Sequence, residues 1–130
     1  MKTVFIFGLG YVGVPLAQAL ADQGWQIRGT TRTPSKLANK VNQGWQILPF
    51  QAGQPLADPA AAFADIDAII STITAIGGSD PVLDAHGDDL ANFSGWSGYV
   101  SATSVYPDMP HDICYEDTEV APATARGKAR

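Results

Sequence analysis

Residues 3–13 read Thr-Val-Phe-Ile-Phe-Gly-Leu-Gly-Tyr-Val-Gly, an apolar run that breaks into three glycines and resumes at once as a helical pattern. Lys2 to Phe7 shows no polar alternation, the mark of a strand buried on both faces. Val12, Leu16, Ala19 and Leu20 then fall on one helical face, and Gly24 stops the helix. Between strand and helix, Gly8 permits a tight turn, Gly10 admits close approach to the backbone, and Gly13 lets the helix sit against its strand. Unpaired N–H groups and the helix dipole make such a turn a seat for an anion, and this spacing predicts a dinucleotide pyrophosphate. Gly8, Leu9, Gly10, Tyr11, Val12 and Gly13 are its candidate contacts. Pro15 is the awkward residue, because it brings no N–H to the helix.

The alternation continues down the chain. Trp25 to Thr30 reads as a second strand, and Thr33 as an N-cap with Pro34 at the first helical position. That helix is expected to run through Leu37 and Val41 to Gly44. Ile47 to Phe50 is the third expected strand, Pro59 to Ala64 a short helix, and Ile66 to Thr72 the fourth strand. Asp80-Pro81 opens a helix carrying Val82, Leu83 and Leu90 that fades near Asn92. Tyr99 to Ser104 is the expected fifth strand. Gln23-Gly24-Trp25-Gln26-Ile27 recurs as Gln43-Gly44-Trp45-Gln46-Ile47, one helix-stop-to-strand punctuation used twice.

Strands alternating with helices at this spacing predict right-handed βαβ units and an α/β, Rossmann-like fold. The expected parallel sheet has about five strands in the order 3-2-1-4-5, with helices on both faces. Its ligand site lies beyond the carboxyl ends of strands 1 and 4, where Ser71 and Thr72 would border a ribose. Residues 1–106 form the expected dinucleotide-binding domain. Residues 107–130, with Pro107, Pro110 and Pro122, read as a loop or arm and as the start of a C-terminal half not included in the chain.

Composition narrows the classes. A chain of 130 residues with 45% hydrophobic residues suits one globular core. No apolar run nears the roughly 20 residues of a membrane span. A net charge of −5 argues against a nucleic-acid surface. Lys2 and the apolar run mimic a signal peptide, but the glycines and the βα pattern mark them as core. The single Cys114 excludes an internal disulfide and fits a cytoplasmic location.

An NAD site usually places Asp or Glu at the end of the second strand, to hold the ribose 2′-hydroxyl. Here the position reads Gly29-Thr30-Thr31-Arg32, and no acidic residue occurs between Asp22 and Asp58. Arg28, Arg32, Lys36 and Lys40 fill the stretch instead. A guanidinium at Arg32 with hydroxyls at Thr30 and Thr31 suits a 2′-phosphate, so NADP is favoured and NAD is the alternative. Lys36 joins that candidate set, whereas Lys40 reads as part of a solvated face.

Gly8-Leu9-Gly10-Tyr11-Val12-Gly13, Gly29-Thr30-Thr31-Arg32 and Ser101-Ala102-Thr103-Ser104-Val105-Tyr106 together resemble the atypical extended short-chain dehydrogenase/reductases, the epimerase/dehydratase-like proteins. Glu116-Asp117-Thr118, Pro122 and Arg126-Gly127 resemble that family's loop after the fifth strand. The resemblance implies an oxidoreductase or epimerase type of protein, with Thr103 lining the nicotinamide pocket. The chain departs from the family at its catalytic positions. Ala102 stands where active members carry Ser or Thr, and Arg126 and Arg130 align with the Tyr and Lys of the following helix. Pro107 replaces the glycine after Val-Tyr. Arginine stays protonated and cannot shuttle a proton. The usual triad is therefore absent, and a silent nucleotide-binding or redox-sensing module is the alternative. UDP-sugar dehydrogenases, which also open with Gly-x-Gly-Tyr-Val-Gly, are a third; Arg32 and the short chain speak against them. Family members run to about twice this length, which leaves the fifth strand without its usual neighbour. A homodimer through that edge is expected.

Other clusters are weaker. Asp84 and Asp88 share a helical face, but His86 is offset from them by about 200°. A hydrated acidic face is the expectation there, and no metal site is assigned. His111, Asp112 and Cys114 sit in the proline-rich stretch with nothing to activate the thiol. The Trp and Tyr residues read as packing.

Overall fold

The computed structural model describes residues 1–75 and 78–100. Thr103, the Ser101–Tyr106 segment and the expected arm over 107–130 lie outside the described residues. In chain order the elements are β1 (Thr3–Phe7), α1 (Gly13–Asp22), β2 (Gln26–Thr31), a 3-10 turn (Pro34–Leu37) running into α2 (Ala38–Val41), β3 (Gln46–Pro49), α3 (Pro59–Ala62), β4 (Ala68–Ser71), α4 (Pro81–Ala91) and β5 (Trp96–Tyr99). All neighbours pair in parallel, in the order β3-β2-β1-β4-β5. The Rossmann-like sheet expected from the sequence is the one observed. No helix among the described residues is long and apolar enough to cross a membrane.

β1 is central because every one of its side chains is buried. Its alternation divides two chemically distinct cores. Val4 and Ile6 join Leu9, Ala17, Ile27 and Trp45 in a layer under α1 and α2 that is mainly aliphatic. Phe5 and Phe7 point the other way, into an aromatic layer with Phe50, Phe63, Ala62 and Val82 under α3 and α4. The Phe7 ring packs edge-on to Phe50 at 5.4 Å between centroids.

The repeated Gln-Gly-Trp-Gln-Ile segment is one device built twice. Gly24 and Gly44 both take left-handed φ values, 92° and 93°. The Trp25 N–H bonds the Leu20 carbonyl and the Trp45 N–H bonds the Lys40 carbonyl, closing the same six-to-one helix stop. Pro15 is the third residue of α1. The bonds beside it, from Val14 N–H to the Gly10 carbonyl and from Leu16 N–H to the Val12 carbonyl, are intact, so the ring removes a single first-turn bond.

Several expectations are corrected. The fifth strand begins at Trp96, not Tyr99, because Trp96 pairs with Ala68 and its indole fills the space over Gly98. A serine- and glycine-containing stretch left outside the expected strand is thereby part of it. Thr33 makes no side-chain cap, and the segment after it tightens to a 3-10 turn before α2. Asp80 does cap α4, accepting from the N–H groups of Val82 and Leu83 at 2.8 and 3.1 Å.

His86 is the largest departure. Instead of lying on a hydrated face it is 1% exposed, its ring against Phe7, Phe50 and Phe63. The Leu56 N–H donates to Nε2 at 3.0 Å, so Nε2 is the unprotonated nitrogen and Nδ1–H donates to Asp89 at 2.9 Å. α4 leaves helical geometry at His86, with φ −135°, which lets the ring turn inward. His86 thus pins the chain before α3 to α4. Replacing it with Ala removes a core ring and strands the Leu56 amide, at an expected cost of about 3 kcal/mol. Urea denaturation checks this, and a loss below about 1 kcal/mol would show that the ring is not a core support.

Candidate functional site

The turn after β1 is held from both sides. The Gly8 N–H donates to Thr30 Oγ1 at 3.1 Å, and the Leu9 N–H donates to the Thr30 carbonyl at 2.7 Å. From the other neighbour, Thr72 Oγ1 donates to the Gly8 carbonyl at 2.6 Å, with the Phe7 carbonyl 3.1 Å away. Gly8 has φ 97°, and a Cβ there would fall 2.4 Å from Thr72 Oγ1. A Cβ on Gly13 would fall 1.9 Å from the Gly8 carbonyl oxygen. These two glycines answer to the protein itself.

Gly10 does not. A Cβ at this position would meet nothing within 4 Å, and its φ is not in the left-handed region. Neither packing nor backbone conformation asks for glycine there; an approaching ligand would. The amides of Gly10, Tyr11 and Val12 make no hydrogen bond to any described residue. α1 carries no acidic residue in its first turn, so nothing on the helix offsets the positive end of its dipole. Tyr11 stands 98% exposed beside this opening. Together these groups make a cradle that an anionic group would fit, and the glycine residues singled out in the sequence lie in one loop.

The basic residues that follow β1 divide into two kinds. Arg28 donates to the Ala62 and Ala64 carbonyls at 2.6 and 2.9 Å and to Gln46 at 2.7 Å, closing the carboxyl end of α3. Lys40, expected on a solvated face, donates to Gln18 at 2.6 Å and lies over the Trp45 ring at 5.0 Å. Both are structural. The side chains of Arg32 and Lys36 are exposed and make no hydrogen bond or ion pair with described residues. Arg32 lies just past β2, two residues beyond Thr30, at the same end of the sheet as the cradle. The Thr31 hydroxyl accepts from the Thr33 N–H at 3.3 Å, which turns the chain there.

β4 contributes residues with opposite orientations. Thr72 faces the glycine turn and locks it. Ser71 is 8% exposed and lines a cavity of about 230 Å³ with Phe7, Ile69, Val82, Leu90 and Tyr99, on the aromatic side of the sheet. Its hydroxyl is buried and has no hydrogen-bond partner among the described residues.

Gly29 is a support that sequence reasoning passed over, and the Thr30 hydroxyl, expected at a 2′-phosphate, is instead buried and accepts from the Gly8 N–H. A Cβ on Gly29 would lie 2.8 Å from both the Ile6 carbonyl and Leu9 Cδ1, so its absence lets Leu9 fold over β2. The available signal was Gly-Thr at the end of a buried strand facing the glycine turn.

The two classes of glycine separate in experiment. Gly13→Ala should destabilise the fold by about 2–3 kcal/mol, because its methyl meets backbone. Gly10→Val should leave urea stability within about 1 kcal/mol and weaken dinucleotide binding about tenfold or more in a fluorescence titration. Unchanged binding in a folded Gly10→Val protein would remove the cradle.

Known proteins resemble this chain in sequence and fold. The chain is 30% identical to Protein YeeZ of Escherichia coli strain K12 over 98% of its own length and 50% of that protein. It therefore spans about half the length of the curated relative it matches. A functionally unknown conserved protein from Silicibacter pomeroyi DSS superposes with a TM-score of 0.80 at 33% identity, over 100% of this chain and 45% of the other. UDP-N-acetylglucosamine 4-epimerase from Bacillus cereus superposes with a TM-score of 0.62 at 18% identity, over 98% of this chain and 50% of the other, a likeness of fold. Residues 3–116, which include the cradle and the whole sheet, match the model of the NAD binding domain of 6-phosphogluconate dehydrogenase, and the chain belongs to that family of Rossmann domains.

Proposed function

We propose that the chain is the cofactor-binding part of an NADP(H)-dependent oxidoreductase or epimerase of the atypical extended short-chain dehydrogenase/reductase kind. Arg32 carries the choice of cofactor. Its guanidinium lies past β2 with no partner among the described residues, on a stretch with no carboxylate between Asp22 and Asp58. A 2′-phosphate gains charge-assisted hydrogen bonds from such a group, whereas a bare ribose diol lacks the acidic acceptor it normally finds.

In this reading the Gly10, Tyr11 and Val12 amides seat the pyrophosphate, and Arg32 with Lys36 and Thr31 holds the adenosine end. Thr72 fixes the turn, and Ser71 and Thr103 belong to the nicotinamide side. The bound nicotinamide would supply or accept hydride at a carbonyl or sugar-nucleotide carbon. The rest of the chemistry falls to residues outside the family's usual triad, since Ala102, Arg126 and Arg130 occupy its positions. Those substitutions favour a second reading, a catalytically silent module that reports cofactor state to a partner.

Titrating the protein with NADPH and with NADH tests the assignment. NADPH should bind at least about tenfold more tightly, a difference of about 1.4 kcal/mol. Arg32→Ala should erase most of that preference while leaving NADH affinity near its starting value. Equal affinities in the parent protein would overturn the NADP(H) assignment and leave the dinucleotide cradle standing.

A further inference from the structure

The stretch from Gln51 to Ala57 is exposed and is held to the domain at one point. It follows β3 at the carboxyl end of the sheet, the end that carries the glycine cradle. Only Leu56 within it is buried, with its side chain in the aromatic layer. The Gln51 and Gln54 side chains bond each other at 2.8 Å, and the Gln54 N–H bonds the Gln51 carbonyl at 3.1 Å, so both bonds stay inside the stretch. Among the described residues, its one hydrogen bond to another element runs from the Leu56 N–H to His86 Nε2 on α4, at 3.0 Å. The acceptor that anchors this segment is therefore a titratable ring.

The two nitrogens of His86 serve different elements. Nε2 accepts from Leu56, thirty residues away, whereas Nδ1–H donates to Asp89 of the same helix at 2.9 Å. The rest of the ring meets Phe7 of β1, Phe50 after β3 and Phe63 after α3, with centroids 5.7–5.9 Å away and no charge among them. Asp89, 42% exposed, is the one charged group facing the ring among the described residues.

We propose that His86 is a proton-operated latch on the Gln51–Ala57 stretch, closed while the imidazole is neutral and opened when it becomes imidazolium. Both ring nitrogens of an imidazolium carry hydrogen. Nε2–H would then point at the Leu56 N–H, leaving two donors face to face with no acceptor between them. On the other side, the Nδ1–H bond to the Asp89 carboxylate becomes charge-assisted and stronger. Protonation thus breaks the tie between elements and tightens the tie within α4, so the ring stays and the segment leaves. A buried amide without an acceptor is costly, and the Leu56 N–H regains one by moving to water. Histidine is the side chain that makes such a hold conditional near neutral pH.

NMR from about pH 8 to about pH 5, where histidines ordinarily change charge, tests the latch. It needs no cofactor, so its outcome is separate from that of the NADP(H) reading. The protection factor of the Leu56 amide should fall at least about tenfold in step with the His86 ring shifts, while the amides of β1 keep theirs. Asp89→Asn removes the carboxylate that favours the charged ring and should move the release of Leu56 to lower pH. His86→Gln, which offers an acceptor that does not titrate, should make Leu56 protection independent of pH. A His86 ring that stays neutral across the range overturns the proposal. So does a titration that leaves Leu56 protected, a loss of protection shared by β1, or an Asp89→Asn protein that releases Leu56 at the parent's pH. If neither variant folds, the titration of the unmutated protein decides.

Discussion

At Gly13 the first turn of α1 lies so near the Gly8 carbonyl that an added Cβ would fall 1.9 Å from its oxygen. With only a hydrogen on Gly13, the first turn of α1 settles directly on the end of β1. That contact fixes where the helix starts, and so where its free amides point. The Gly8 turn is tied on one side to Thr30 of β2 and on the other to Thr72, the residue after β4. Three neighbouring strands thus converge on one peptide turn. A parallel sheet with its crossover reversal at β1 provides that convergence, because the strands on both sides of β1 end at the same level.

Around this point the molecule is built asymmetrically. The α1 side is packed with aliphatic side chains and its helices stop with the Gly-Trp device. The α3 and α4 side is packed with phenylalanines around one neutral histidine. Its helices are too short or too bent to close the layer alone, so polar bonds complete it. Arg28 reaches from β2 to the last carbonyls of α3, and His86 reaches from α4 to the Leu56 amide. A buried polar group that is fully bonded fixes one arrangement of a core that would otherwise repack.

What was legible in the residues follows from how local each signal is. The glycine turn, the sheet order and the helix stops at Gly24 and Gly44 rest on neighbours in sequence, and these emerged intact. The strand at Trp96–Tyr99 did not, because its identity comes from pairing with Ala68–Ser71 and not from an apolar run. His86 among acidic residues reads as surface until a non-helical φ turns it inward. Arg28 and Lys40 could not be separated from Arg32 and Lys36 by composition. Only the carbonyls of α3 and the side chain of Gln18, each distant in sequence, distinguish the tethered bases from the free ones. The glycine spacing was legible in the residues, but the contrast of Gly10 with Gly8 and Gly13 needed coordinates.

The convergence of three strands on the Gly8 turn has a thermodynamic consequence. Because the cradle is assembled by bonds within the protein, little ordering is left for a ligand to impose, and binding free energy is not spent on shaping the loop. A dinucleotide seated there is linked to β1, β2 and β4 together, so its dissociation must precede their separation. At about a hundredfold excess over its dissociation constant, such a ligand adds about 2.7 kcal/mol to the unfolding free energy. For a small domain that is a large share of its total stability. The cofactor level in its surroundings then sets the domain's margin against unfolding, and not only how much of it is occupied.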